Sequence, residues 1–91
     1  MSSSIQHNHS EHRFEILVEG QNCLLEYTLH DGVMTITHTE VPAAVGGRGI
    51  AGRLVQAALD TASEQGWKVV PACSYAAGWM QRHPEYERLR A

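Results

Sequence analysis

Val41-Pro42-Ala43-Ala44-Val45-Gly46-Gly47-Arg48-Gly49-Ile50-Ala51-Gly52-Arg53 joins a strand-like run to a helix-like run through a cluster of glycines and carries no acidic residue. Helices usually open with a polar cap and an acidic first turn, which satisfy the free amides and complement the positive end of the dipole. This one carries Arg48 and Arg53 instead, so the missing partner is an external anion. A phosphate or pyrophosphate suits the place, because glycine lets backbone N–H groups approach a ligand at close range. A plain glycine-rich turn into a surface helix is the competing reading.

Upstream of this stretch, residues 13–18, 23–29 and 33–40 are rich in β-branched and aromatic side chains. Residues 19–22 and 30–32 between them are turn-forming, with Asp31-Gly32 a strong hairpin signal, so an antiparallel three-stranded meander is expected. In the third run Met34, Ile36 and His38 fall on one face and Val33, Thr35, Thr37 and Thr39 on the other. Pro42 cannot donate to a ladder, so this strand is expected to end or splay there. Downstream, Ile50, Leu54, Val55, Ala58, Leu59 and Ala62 share one apolar helical face, and Gly66 supplies the stop. Residues 67–72 read as a fourth strand, parallel to the third because a helix carries the chain back across the sheet. A short second helix is expected over 75–82, stopped at His83-Pro84. The fold class is α+β.

A chain of 91 residues makes one domain with one modest core, so any active site is shallow or shared. Hydrophobic content of 43% and 19% charged residues are ordinary for a globular protein, and no apolar run is long enough to span a membrane. Residues 1–11 are polar throughout and read as a loose tail before a single domain at 12–91. His7, His9 and His12 have no matching Cys or carboxylate cluster, so a solvated segment is expected and no metal site. The N-terminus lacks the basic-then-apolar pattern of a secretory signal, which places the protein in the cytoplasm with Cys23 and Cys73 reduced. Net charge is −3 and the basic residues are dispersed, so nucleic acid is not an expected partner.

Gly47-Arg48-Gly49-Ile50-Ala51-Gly52 satisfies G-x-G-x-x-G, but a dinucleotide fold needs several βαβ units and an acidic residue where Ala72-Cys73 stands. The P-loop spacing also fits, yet Arg53-Leu54 replaces the Lys-Ser/Thr that nucleotide hydrolysis requires. The stretch resembles the pyrophosphate loop of the GNAT acetyltransferase superfamily, (Gln/Arg)-x-x-Gly-x-(Gly/Ala), with Gly49-Ile50-Ala51 matching its second half. Gly46 stands where Gln or Arg is usual. The chain is most similar to short, single-domain GNAT-like proteins, through 36–41, through 47–51 continuing to Leu54-Val55, and through Pro71-Ala72-Cys73-Ser74-Tyr75 with Trp79 and His83-Pro84-Glu85-Tyr86. That resemblance implies a GNAT-like core and acetyl-CoA as co-substrate. Its pyrophosphate would lie over residues 47–52 and its pantetheine arm where the third and fourth strands diverge. The implied cofactor-binding residues are Val41, Gly46, Gly47, Arg48, Gly49, Ile50, Ala51, Gly52 and Arg53, with Cys73, Ser74 and Tyr75 beyond the fourth strand. The implied acceptor is an amine, small molecule or protein.

Acetyl transfer to an amine needs a neutral amine, a polarised carbonyl and a proton for the leaving thiolate. Cys73, near the expected thioester end, either protonates that thiolate or briefly accepts the acetyl group; a small buried apolar role is the alternative. Cys23, in mid-strand, is expected to be a buried apolar residue. His38 is a candidate base, although sharing a face with Met34 and Ile36 favours a core histidine hydrogen-bonded to backbone. Glu40 is the second candidate base. Tyr75 is expected to pack against the cofactor's arm and Trp79 to fill core or line the pocket edge. Two functions follow: an acetyltransferase acting directly or through Cys73, or a non-enzymatic acyl-CoA-binding module.

Overall fold

A computed structural model describes residues 4–91. Strand β1 (Gln6–Asn8) pairs antiparallel with β2 (Arg13–Val18), which pairs antiparallel with β3 (Gln21–His30), and β3 in turn with β4 (Val33–Glu40). The two inner hairpins are set by Glu19-Gly20 and Asp31-Gly32, whose φ angles of 49° and 76°, and of 50° and 75°, are those of a two-residue turn matching the twist of the strands. Helix α1 (Ile50–Gln65) then carries the chain back, and β5 (Lys68–Pro71) lies parallel to β4, giving the sheet order β1-β2-β3-β4-β5. Helix α2 (Ser74–Arg82) and a 3-10 segment at Pro84–Leu89 complete the chain. The meander, the parallel crossover and the α+β class agree with the expectation.

One row of strand side chains faces the helices. Phe14, Ile16, Cys23, Leu25, Tyr27, Met34, Ile36 and Val69 are buried, and they share one core cluster with Leu54, Val55, Ala58, Leu59 and Ala62 of α1 and Ala76, Trp79 and Met80 of α2. Burying each large aliphatic chain contributes about 1.5–3 kcal/mol, so this shared face is the main reason the short helices hold. The end of α1 is closed by Gly66 at φ 76°, where the Gly66 amide donates to Ser63 O at 3.3 Å and the Trp67 amide to Ala62 O at 2.8 Å.

Two features depart from the sequence reading. The polar segment expected to be a loose tail over residues 1–11 forms a paired strand at Gln6–Asn8, while residues 1–3 lie outside the described residues. His7 accounts for it: the ring stacks on Phe14 at 4.0 Å between centroids, and its Nε2 lies 2.6 Å from the Tyr27 hydroxyl. The second departure is a β-bulge. Tyr27 pairs with Ile36 but Glu26 pairs with His38, so Thr37 is an extra residue in β4 and the alternation reverses after it. Met34 and Ile36 face the core, yet His38 and Glu40 are exposed on the opposite face, and Thr39 turns inward opposite Leu25. The expected core histidine is therefore a surface histidine.

His7 gives the N-terminal strand a pH dependence. Burial, with smaller contributions from His9 and His12, holds its pKa below the ordinary histidine value. A histidine depressed in the folded state binds a proton more readily once unfolded, so its contribution to stability is full at neutral pH and is lost as pH falls through the ordinary histidine range. NMR titration should place the His7 midpoint below the ordinary histidine value, and amide exchange in β1, corrected for intrinsic rates, should rise relative to β3 toward about pH 5. A midpoint at or above the ordinary histidine value would remove the ring from this anchoring role.

Candidate active site at the glycine loop and the strand gap

The β4–β5 ladder ends at the Ile36–Pro71 pair, while β4 runs on to Glu40 against β3 alone. The bulge at Thr37 thus opens the sheet several residues before Pro42, where the splay was expected. Cys73 bridges the point of divergence. Its amide donates to Ile36 O at 3.0 Å, and its Sγ lies 3.6 Å from the Thr39 hydroxyl, which the bulge has turned to this side. Cys73 is also the N-cap of α2, in extended conformation, so the thiol sits at the positive end of a helix. Burial pushes the thiol's pKa up, but the Ala76 amide, the Thr39 hydroxyl and the Tyr75 and Thr39 backbone groups facing it together bring it below the ordinary thiol value. Cys23 is the opposite case: it is buried in β3, and burial alone raises its pKa.

The glycine loop is shaped as its composition requires. Gly47 and Gly49 take φ of 77° and 76°, a region that side chains other than glycine rarely adopt, and a Cβ added at either would meet nothing within 4 Å. Both therefore present an open backbone surface. Gly49 caps α1 with no side-chain hydrogen bond to the first turn, which holds no acidic residue, so the leading amides of α1 have no such partner. Gly46 is ordinary extended backbone at φ −69°, after a 3-10 turn at Ala43–Val45 that buries Val45. Gly52 serves packing instead, since a Cβ there would lie 3.1 Å from Trp79 Nε1 and 3.3 Å from the Tyr75 hydroxyl. The first turn of α1 is thus packed against Tyr75 and Trp79 of α2, whose own N-cap, Cys73, stands at the gap between β4 and β5.

Of the remaining residues, Val41 is half-buried, Ser74 and Tyr75 are exposed or nearly so at the start of α2, and Ile50 is buried with Ala51 half-buried beside it. Arg53 lies exposed on the first turn of α1. His38 Nε2 and Glu40 Oε1 form an exposed pair 3.2 Å apart on the other face of the sheet. Arg48, expected to add charge for an anion, is bonded to Glu19 at 2.7 and 3.2 Å. Two contributors escaped the sequence reading, Thr39 beside the Cys73 thiol and Glu19 beside Arg48. Neither carries a local mark: Thr39 reaches the site through the bulge, and Glu19 lies 29 residues from its partner. Among the described residues no group of three or more His, Cys, Asp or Glu could hold a metal ion, and no helix is long and apolar enough to cross a membrane.

A family model for the GCN5-related N-acetyltransferases matches residues 13–89, which include the meander, the glycine loop and both helix starts. The chain belongs to the GCN5-related N-acetyltransferase family. Within this acetyltransferase family it is similar to protein NATD1 of Xenopus tropicalis, 35% identical over 89 residues covering 91% of this chain and 81% of that protein. Protein NATD1 of Mus musculus is 31% identical over 83 residues, covering 88% of this chain and 76% of that one. The solution structure of a GCN5-like protein from Staphylococcus aureus superposes with a TM-score of 0.76 at 25% identity, covering 97% of this chain and 87% of that chain. The acetyltransferase fold is thereby shown over nearly the whole molecule.

Proposed function

We propose that the protein binds acetyl-CoA at the convergence of α1 and α2 and transfers the acetyl group to an amine. The observation that carries this reading is the uncapped start of α1 behind Gly47 and Gly49, an open cradle of backbone at a helix N-terminus. It fits a pyrophosphate. In this reading Gly46, Gly47, Gly49, Ile50 and Ala51 line the phosphate-binding loop with Arg48 and Arg53 flanking it and Gly52 holding the start of α1 against α2, while Val41, Cys73, Ser74 and Tyr75 border the strand gap that receives the pantetheine arm. The bound group supplies an activated acetyl thioester. Cys73, with a thiol pKa held below the ordinary value and its Sγ beside the Thr39 hydroxyl, would give the proton at Sγ to the departing thiolate, or would accept the acetyl group at Sγ as that thiolate leaves. His38, oriented by Glu40, takes the proton from the incoming amine, and its exposure beyond the bulge leaves it accessible to an acceptor.

Calorimetry with acetyl-CoA tests the binding, expected to saturate with a Kd below about 1 mM. Release of free CoA thiol with a panel of amines tests the transfer. His38→Ala should lower turnover by about 100-fold and leave the Kd unchanged, as for loss of a general base. Absence of saturable binding would overturn the proposal, and binding without turnover on any amine would support a non-enzymatic acyl-CoA-binding module.

A further inference from the structure

The geometry points to Glu19 as an internal competitor for the cofactor loop, a residue that sets anion affinity by occupying Arg48. Glu19 lies on the β2–β3 turn, remote in sequence from the glycine loop. Its carboxylate nevertheless engages the guanidinium end-on, with Arg48 Nη1 donating to Oε2 at 2.7 Å and Arg48 Nη2 to Oε1 at 3.2 Å. Both terminal nitrogens are thus committed to one carboxylate, and the end-on edge, one of the two with which an arginine grips a phosphate bidentately, is filled. Arg48 itself stands between Gly47 and Gly49, the two left-handed positions of the loop, so its main chain belongs to the cradle while its side chain is turned to the hairpin.

A second anion brought to this loop meets a guanidinium already neutralised and a carboxylate of its own sign nearby. Binding therefore has to displace Glu19 or tolerate it, and either course weakens the ligand. The turn keeps the competitor in place: Glu19 holds φ 49° next to Gly20 at 76°, a tight hairpin that leaves its backbone little freedom. The pair is exposed on both sides, at 44% for Arg48 and 64% for Glu19, so its strength is that of a bidentate surface bridge and it yields to salt. An affinity device of this kind suits reversible release of product more than tight retention. The inference rests on reading the glycine loop as a pyrophosphate cradle.

The test titrates both CoA and inorganic pyrophosphate into the wild-type protein, Glu19→Gln, Arg48→Gln and the double variant, by calorimetry and by NMR at the Gly47, Gly49 and Ile50 amides. Glu19→Gln should lower the Kd for both ligands about fivefold at low salt, and the difference should shrink below about twofold in about 0.5 M NaCl. The double variant should match Arg48→Gln alone, because Glu19 acts only through that guanidinium. Glu19→Asn, which keeps a residue tolerant of positive φ in the turn, should repeat the gain and so separates loss of the carboxylate from a disturbed hairpin. An unchanged or higher Kd in both Glu19 variants overturns the inference while leaving cofactor binding intact. Absence of pyrophosphate shifts at the loop amides overturns it as well. If no variant binds CoA but pyrophosphate binds more tightly to Glu19→Gln, the cofactor reading fails and the role of Glu19 stands.

Discussion

Alanine at both Gly47 and Gly49 should lower stability by about 2–4 kcal/mol, at about 1–2 kcal/mol for each residue forced into the left-handed region. The same variant should lose at least about tenfold in CoA affinity, the equivalent of one charge-assisted hydrogen bond to phosphate. The stability loss comes from backbone conformation, since φ is 77° and 76° and an added Cβ meets no neighbour within 4 Å. The affinity loss has another source: those methyl groups would stand on the open surface across which the loop amides reach an anion. Gly66→Ala separates the two effects. Gly66 also holds φ 76°, but at the far end of α1, so its replacement should lower stability and leave CoA affinity unchanged. Urea unfolding and calorimetry on the three proteins would check this. An equal affinity loss in Gly66→Ala would mean that binding merely follows helix stability.

These glycines were legible in the sequence because what they do is local. A left-handed residue before an uncapped helix and a left-handed residue after it leave a compositional trace at Gly49 and Gly66, and the face from Ile50 to Ala62 follows from helical period alone. Asp31-Gly32 declares its hairpin in the same way. What the sequence hid depends on counting across strands. Nothing in Thr35-Ile36-Thr37-His38-Thr39 marks Thr37 as the extra residue, yet that one insertion takes His38 out of the core, puts Thr39 against Cys73 and ends the parallel ladder at Ile36. The strand at Gln6–Asn8 was hidden for a related reason: its inward residue is a histidine, which becomes core material only where Phe14 and Tyr27 are waiting. Glu19 found Arg48 through tertiary placement, which no local pattern predicts.

Cys73 should react with iodoacetamide at neutral pH at least about 100-fold faster than Cys23, because the attacking species is an accessible thiolate. Cys23 has no exposed surface, and burial raises its pKa. Cys73 is half-buried at the start of α2, where amide and hydroxyl donors outweigh the opposing effect of burial and bring its pKa below the ordinary thiol value. A depressed thiol pKa moves the onset of reactivity to lower pH, so the rate should rise with a midpoint below that of an unperturbed thiol. Thr39→Val preserves the side-chain shape but removes the hydroxyl 3.6 Å from Sγ, and should raise that midpoint and slow the reaction at neutral pH. Acetyl-CoA, bound as proposed, should protect Cys73 and leave Cys23 unaffected. Cys73→Ala should then reduce amine acetylation by about 100-fold or more with little change in Kd, the pattern of a group that acts on the transition state. A Cys73 thiol as unreactive as Cys23, or full turnover in Cys73→Ala, would remove the thiol from the chemistry and leave the proton transfer at the His38–Glu40 pair alone.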